Sequence, residues 1–296
     1  MKLLVVGAAG QVGWELQRSL QPLGTVIAAR RQDLDLSRPE TLGARIDELA
    51  PDVIVNAGAY TAVDKAETEE PLAHRVNAEA PGELARAARR RGALLVHYST
   101  DYVFDGSQPT PYRETDPTCP LNVYGRTKLA GEQAIAQAGG DWLVFRTTWV
   151  YASRGGNFAR TILRLAAERD KLSIVADQFG APTSARFLAD ATAQIVAQAG
   201  VERRQQRFAS GLYHLSAGGR TSWHGFACAL IDGARARGQT LKVGEVTGIP
   251  AEQYPTPARR PANSLLSHEA LTARFGIEPP PWQAGAELVL GELFPG

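Results

Sequence analysis

The sequence predicts an α/β fold built on a doubly wound parallel sheet, and three observations carry that reading. Short apolar runs alternate with helical segments through the first half of the chain. A glycine-spaced turn directly follows the first run, and the alternation fades after Trp149, where prolines at 182, 250, 255, 257 and 279–281 punctuate the chain. In order, strands are expected at residues 3–6, 26–29, 53–56, 94–98 and 143–146. Helices are expected over about 13–20, 39–49, 79–91 and 124–138. Such repetition requires a mostly parallel sheet with right-handed crossovers.

The turn reads Gly7-Ala-Ala-Gly10-Gln-Val-Gly13 between the first apolar run and an amphipathic segment. A dinucleotide pyrophosphate needs that spacing: the first glycine permits the turn, the second lets backbone approach the phosphates, and the third lets helix pack on strand. The helix N-terminus then offers free N–H groups and partial positive charge to the anion. Residues 1–150 therefore read as a Rossmann-type NAD(P)-binding domain, and 151–296 as a smaller α/β substrate domain that lends later segments back to the first. The second strand runs into Arg30-Arg31, where a base suits a 2′-phosphate and an acid would suit a free ribose hydroxyl. The expectation is NADPH. NADH stays open, because paired surface arginines need no phosphate and Asp33 and Asp35 lie close by.

Tyr124 and Lys128 are four apart at the start of a helical stretch, so both leave one face. An ammonium about 5 Å from a phenol, at an effective dielectric near 20, is worth roughly 3 kcal/mol, or about two pKa units below the usual value near 10. The expectation is a tyrosine general acid tuned by lysine. The fourth run ends in Ser99-Thr100-Asp101, where open parallel sheets carry their ligands, so a hydroxyl there can reach a reacting carbonyl or merely cap a turn. The polar, proline-bearing connection 103–122 is expected to cover a substrate.

Five segments together carry a family resemblance: Asn56 to Glu67, His97 to Gly106, Tyr124 to Glu132, Phe145 to Tyr151 and Asp177 to Thr183. They resemble the dTDP-4-dehydrorhamnose reductases, within the extended short-chain dehydrogenases/reductases. The likeness is dense to about Ala185 and returns in Arg260-Pro-Ala-Asn263-Ser-Leu-Leu266. It implies hydride transfer to C4 of a 4-keto-6-deoxy sugar nucleotide, as the last step in supplying dTDP-L-rhamnose for cell-surface polysaccharide. By the same resemblance Tyr124 is the acid, Lys128 orients the nicotinamide ribose, Thr100 holds the keto oxygen, and Asp101 and Trp149 meet the sugar. Gly10, Gln11 and Val12 match the phosphate turn, Asp35 and Leu36 the adenine edge, and Ala59, Tyr60 and Thr61 the ribose neighbourhood. Arg260 and Asn263 match a segment near the nucleotide sugar, and a homodimer is expected. Some relatives hold a divalent metal between subunits; Glu15 suits it but Arg186 does not, so no metal is expected.

Two alternatives remain at this stage. A nucleotide-sugar epimerase or dehydratase uses the same Tyr and Lys, although a dehydratase would place Asp-Glu after the threonine and here Asp101-Tyr102 follows Thr100. A non-catalytic NADP-binding regulatory subunit is the other. Net charge is +1, which gives no global attraction to nucleic acid or an anionic membrane. Two widely spaced cysteines, Cys119 and Cys228, fit a reducing compartment, and no signal peptide or spanning stretch is read, so the expected location is cytoplasmic. The five histidines show no ligand spacing apart from His214 and His224, ten apart and without further partners.

Overall fold

The computed structural model describes residues 1–295. Its centre is a six-stranded parallel sheet of β1 (Lys2–Val6), β2 (Thr25–Ala29), β3 (Val53–Asn56), β4 (Leu94–Thr100), β5 (Asp141–Thr147) and β6 (Gly211–His214). The spatial order is β6-β5-β4-β3-β1-β2. Helices α1 (Gln11–Ser19), α2 (Pro39–Leu49), α3 (Ala80–Arg91), α4 (Val123–Ala138) and α5 (Ala185–Arg204) cover it. Side chains alternate across a strand, so Leu3 and Val5 of β1 face α1 and α5 through Leu16, Leu188 and Ile195. Leu4 and Val6 face the opposite layer through Leu42, Ile46, Leu84 and Ile135. Burial on both faces is why the strands read as near-continuous apolar runs.

The five expected strands and four expected helices are all present, with ends displaced by a few residues. One displacement matters. Helix α1 begins at Gln11, so its N-terminus lies inside the glycine turn. Two further elements of this layer come from beyond residue 151: α5 packs on α1, and β6 pairs with β5. Three further helices, Phe158–Glu168, Trp223–Ala236 and Trp282–Leu293, gather round a separate core that includes Phe226, Leu230, Trp282 and Val289. Beside them strand Lys171–Val175 pairs in parallel with Glu245–Ile249.

The connection after β4 is held by a distant segment of the chain. Asn263 donates to the carbonyls of Gln108 (2.7 Å) and Thr110 (3.0 Å), and Tyr112 bridges to Leu266. The loop is thus pinned to residues 263–266, and it lines a cavity of about 900 Å³ with Arg220 and His268. None of the predicted site residues lines that cavity.

Candidate active site

Strand order reverses between β1 and β3, and parallel sheets bind ligands outside the carboxyl ends of their strands at such a switch point. A cleft of about 670 Å³ opens there. Gly7 closes β1 with φ +75°, and a Cβ on it would lie 2.6 Å from the Gly58 nitrogen, so only glycine fits. Gly13 packs against the Gly7 carbonyl, and a side chain there would collide with it. The N-cap of α1 is Gly10, which makes no side-chain cap bond, leaving the first-turn N–H groups to a ligand. This bare cradle fits a dinucleotide pyrophosphate.

Across the cleft, Thr100 ends β4 and Tyr124 and Lys128 project from the first turns of α4. Asn122 starts that helix by accepting from the Gly125 N–H (2.8 Å), which fixes where its first turn faces. Gly125 lets the turn press on the Tyr102 carbonyl, where a Cβ would clash. Tyr102 meets the Tyr124 ring edge-on at 5.7 Å. Thr100 donates to Asp101 (3.1 Å) and accepts from the Tyr102 N–H (3.2 Å).

The electrostatics correct one expectation. Burial raises the Tyr124 phenol to about 12, with the Thr100 hydroxyl opposing and the Asp101 charge adding. Lys128 is no part of that balance, because its Nζ turns to β4, donating to the Tyr98 carbonyl (2.6 Å) and lying 3.1 Å from His97 Nε2. Burial brings Lys128 itself down to about 8, against an opposing pull from Glu132. Burial likewise raises Asp101 to about 6, with hydroxyls around it, Ser264 foremost, holding it down.

Ser99 Oγ, Thr147 Oγ1 and Asp101 Oδ2 are buried without hydrogen-bond partners, and all three residues line the cleft at the ends of β4 and β5. Unpaired buried polar atoms are costly, so their convergence beside Thr100 suits a ligand rich in hydroxyl and carbonyl oxygens. Trp149 forms the far wall with φ +47°, a conformation rare for a bulky residue, and stacks on Trp223 at 3.5 Å. Gly180 leaves room for that ring.

The sequence profile of the RmlD substrate binding domain matches residues 1–294. A protein of Burkholderia thailandensis named dTDP-4-dehydrorhamnose reductase is 58% identical over 295 residues, 99% of each chain. The chain belongs to the dTDP-4-dehydrorhamnose reductase family. The family's crystal structures agree in fold: the one from Clostridium acetobutylicum superposes with a TM-score of 0.89 at 35% identity, covering 99% of both chains. One from Bacillus anthracis, solved in complex with NADP, gives 0.87 at 33% identity, covering 98% of this chain and 99% of its own.

Of the residues singled out from the sequence, Gly7, Gly10, Gln11, Val12, Ala59, Thr61, Thr100, Asp101, Tyr124, Lys128 and Trp149 all line the one cleft of this family member. Others do not. Tyr60 turns outward to Glu69 (2.5 Å), while its backbone is held by Asn77. Asp35 accepts from the Ser37 N–H and hydroxyl, and Leu36 is packed under Gly58. Arg30 stands exposed at the end of β2. Arg260 pairs with Asp64 (2.8 Å) and lines an adjoining cavity of about 800 Å³ instead. Asn263 is buried, donates its side-chain amide to the Gln108 and Thr110 carbonyls and accepts from the Leu265 N–H. Glu15 lies 3.5 Å from Arg18, and Arg186 pairs with Glu292 (2.6 Å).

Sequence reasoning missed Asn157 and Trp223. Asn157 caps helix Phe158–Glu168 and donates to Gln11 (2.8 Å), tying the phosphate turn to the second half of the chain. Trp223 lines both the cleft and the adjoining cavity. An N-cap asparagine was a readable signal; nothing local to Trp223 distinguishes it from a core aromatic.

Proposed function

We propose that this chain reduces the C4 keto group of dTDP-4-dehydro-β-L-rhamnose to give dTDP-L-rhamnose, with NADPH as reductant. The observation that carries this reading is the meeting of Thr100, Tyr124 and Lys128 opposite the bare phosphate cradle, in a chain 58% identical to a reductase of that name. Bound along Gly7, Gly10, Gln11 and Val12, with Ala59 and Thr61 beside it, a nicotinamide nucleotide supplies the hydride. Arg30 at the end of β2 takes the 2′-phosphate, and a higher kcat/KM with NADPH than with NADH checks that assignment.

The chain's own groups handle the oxygen. Tyr124 delivers its phenolic proton to the developing C4 alkoxide, and Thr100 holds that oxygen in place. To do so Thr100 must release Asp101, to which its proton is now committed. Asp101 then meets a sugar hydroxyl, and Trp149 with Trp223 offers an aromatic wall to the apolar face of a deoxysugar. Lys128 orients the nicotinamide ribose. The nucleotide lies in the adjoining cavity, where Arg260 faces its phosphates. The product is a precursor of cell-surface polysaccharide, and the enzyme works as a cytoplasmic homodimer; light scattering tests the dimer.

Mixed with NADPH and the 4-keto sugar nucleotide, the purified protein is expected to oxidise cofactor and release dTDP-L-rhamnose in equal amounts. Tight cofactor binding with no turnover would overturn the reading.

A further inference from the structure

The groups behind Lys128 form a buried chain with a definite hydrogen-bond polarity. Asn56 on β3 and His97 on β4 are direct partners across the ladder, and Asn56 is 0% and His97 1% exposed. Asn56 Oδ1 accepts from the Gly58 N–H (3.1 Å), which fixes the amide orientation and turns Nδ2, a donor, toward His97 Nδ1 (3.0 Å). His97 Nδ1 is therefore the acceptor nitrogen, and the single proton of the neutral imidazole sits on Nε2. Nε2 lies 3.1 Å from Lys128 Nζ. An ammonium there would set donor against donor, whereas an amine accepts from Nε2–H and still donates to the Tyr98 carbonyl.

We propose that Asn56 and His97 set the charge of Lys128: the pair favours the neutral amine, and Lys128 takes up a proton as His97 changes tautomer and the Asn56 amide turns. The protons balance. Nζ gains the proton that Nε2 gives up, Nδ1 gains one from solvent, and the net uptake is one. The turned amide presents Oδ1 to Nδ1–H and releases the Gly58 N–H into the cleft. A ligand oxygen that accepts from Gly58 thereby strengthens proton binding at Lys128, since linkage is reciprocal.

Charged groups on the neighbouring elements do not provide this control. Glu132 on the same helix pulls Lys128 toward the charged form, but it is held bidentately by Arg146 of β5 (2.9 and 2.7 Å). Asp101 beyond β4 is engaged by Thr100, Glu67 accepts from the Val123 N–H, and Glu70 faces Arg126. Glu79, Glu83 and Arg86 line a surface groove on the far side of α4. Burial holds the imidazolium form of His97 well out of reach, with the Lys128 charge adding, and burial lowers Lys128 too, as this arrangement requires.

The inference rests on Lys128 being the lysine of the proposed reaction, yet its test needs no turnover. Nitrogen NMR of the ligand-free protein labelled at histidine reads the His97 tautomer directly. The expected result is Nε2–H at alkaline pH, passing to Nδ1–H as pH falls through the titration of Lys128. Nδ1–H at every pH, or an imidazolium, would overturn the proposal. Asn56→Asp offers acceptors to both Gly58 N–H and Nδ1–H, so it should lock the Nδ1–H tautomer and raise the proton affinity of Lys128 at least tenfold. A folded Asn56→Asp protein with an unmoved Lys128 titration would equally overturn it, and if that variant does not fold the tautomer of the unaltered protein still decides.

Discussion

Tyr124 and Lys128 leave one face of α4 but meet different neighbours, and that separates their roles. The phenol, raised to about 12, remains protonated at every working pH, so it is a proton store rather than a titrating switch. Tyr124→Phe removes only the hydroxyl from a helix held by its Asn122 cap. Turnover is expected to fall by about 10²–10⁴-fold, the usual worth of general acid catalysis, with an unchanged melting temperature. Near-normal kcat in that variant would remove Tyr124 from the role. Lys128, brought down to about 8, titrates within range, as Asp101 does at about 6. If its ammonium is the working form, kcat/KM falls as pH rises through about 8. A profile flat to pH 10 would contradict this assignment.

At the scale of elements, the β1 turn and the start of α4 build the site, and both were legible in the sequence because their signals are local. Three glycines at fixed spacing after an apolar run need no tertiary knowledge, nor do a tyrosine and lysine one helical turn apart. What was not legible depended on distant contacts. Helix α5 carries an apolar face at Leu188, Ile195 and Val196, which marks a helix without saying which layer it joins. The loop after β4 reads as a substrate cover by length and polarity, but its anchor Asn263 lies more than 150 residues away. The direction of Lys128 was hidden for the same reason, since its partners His97 and Tyr98 lie 31 and 30 residues back on β4. Gly7→Ala tests the turn: with φ +75° and the Gly58 backbone in the way, cofactor affinity should drop by at least tenfold, measured by titration calorimetry. Unchanged affinity would mean that the turn can shift. Asn122→Ala should cost about 1 kcal/mol of stability through the lost cap, read from denaturant unfolding.

For the whole molecule, the buried His214 and the half-buried His268 tie stability to pH on the acid side. Burial brings His268 to about 4, and burial with the Arg146 and His268 charges brings His214 to about 3. Unfolded histidines titrate near 6.5, so below that pH the unfolded chain binds more protons and stability falls as pH falls toward 4. Melting temperature should decline across that window, and His268→Gln should decline less steeply; parallel curves would assign the loss to other groups. The cleft between the sheet and the elements after β5 gives the molecule its working form: the sheet side presents the phosphate cradle and the proton donor, and the elements after β5 supply Asn157, Trp149 and Trp223 as the opposite wall. The central claim is reduction at C4 of a keto sugar, and the most direct measurement is a single turnover with dTDP-4-dehydro-β-L-rhamnose and NADPH deuterated at the nicotinamide C4. The expected result is one deuterium at C4 of dTDP-L-rhamnose, seen by proton NMR as loss of that signal. Unlabelled product, or deuterium at another carbon, would contradict the account.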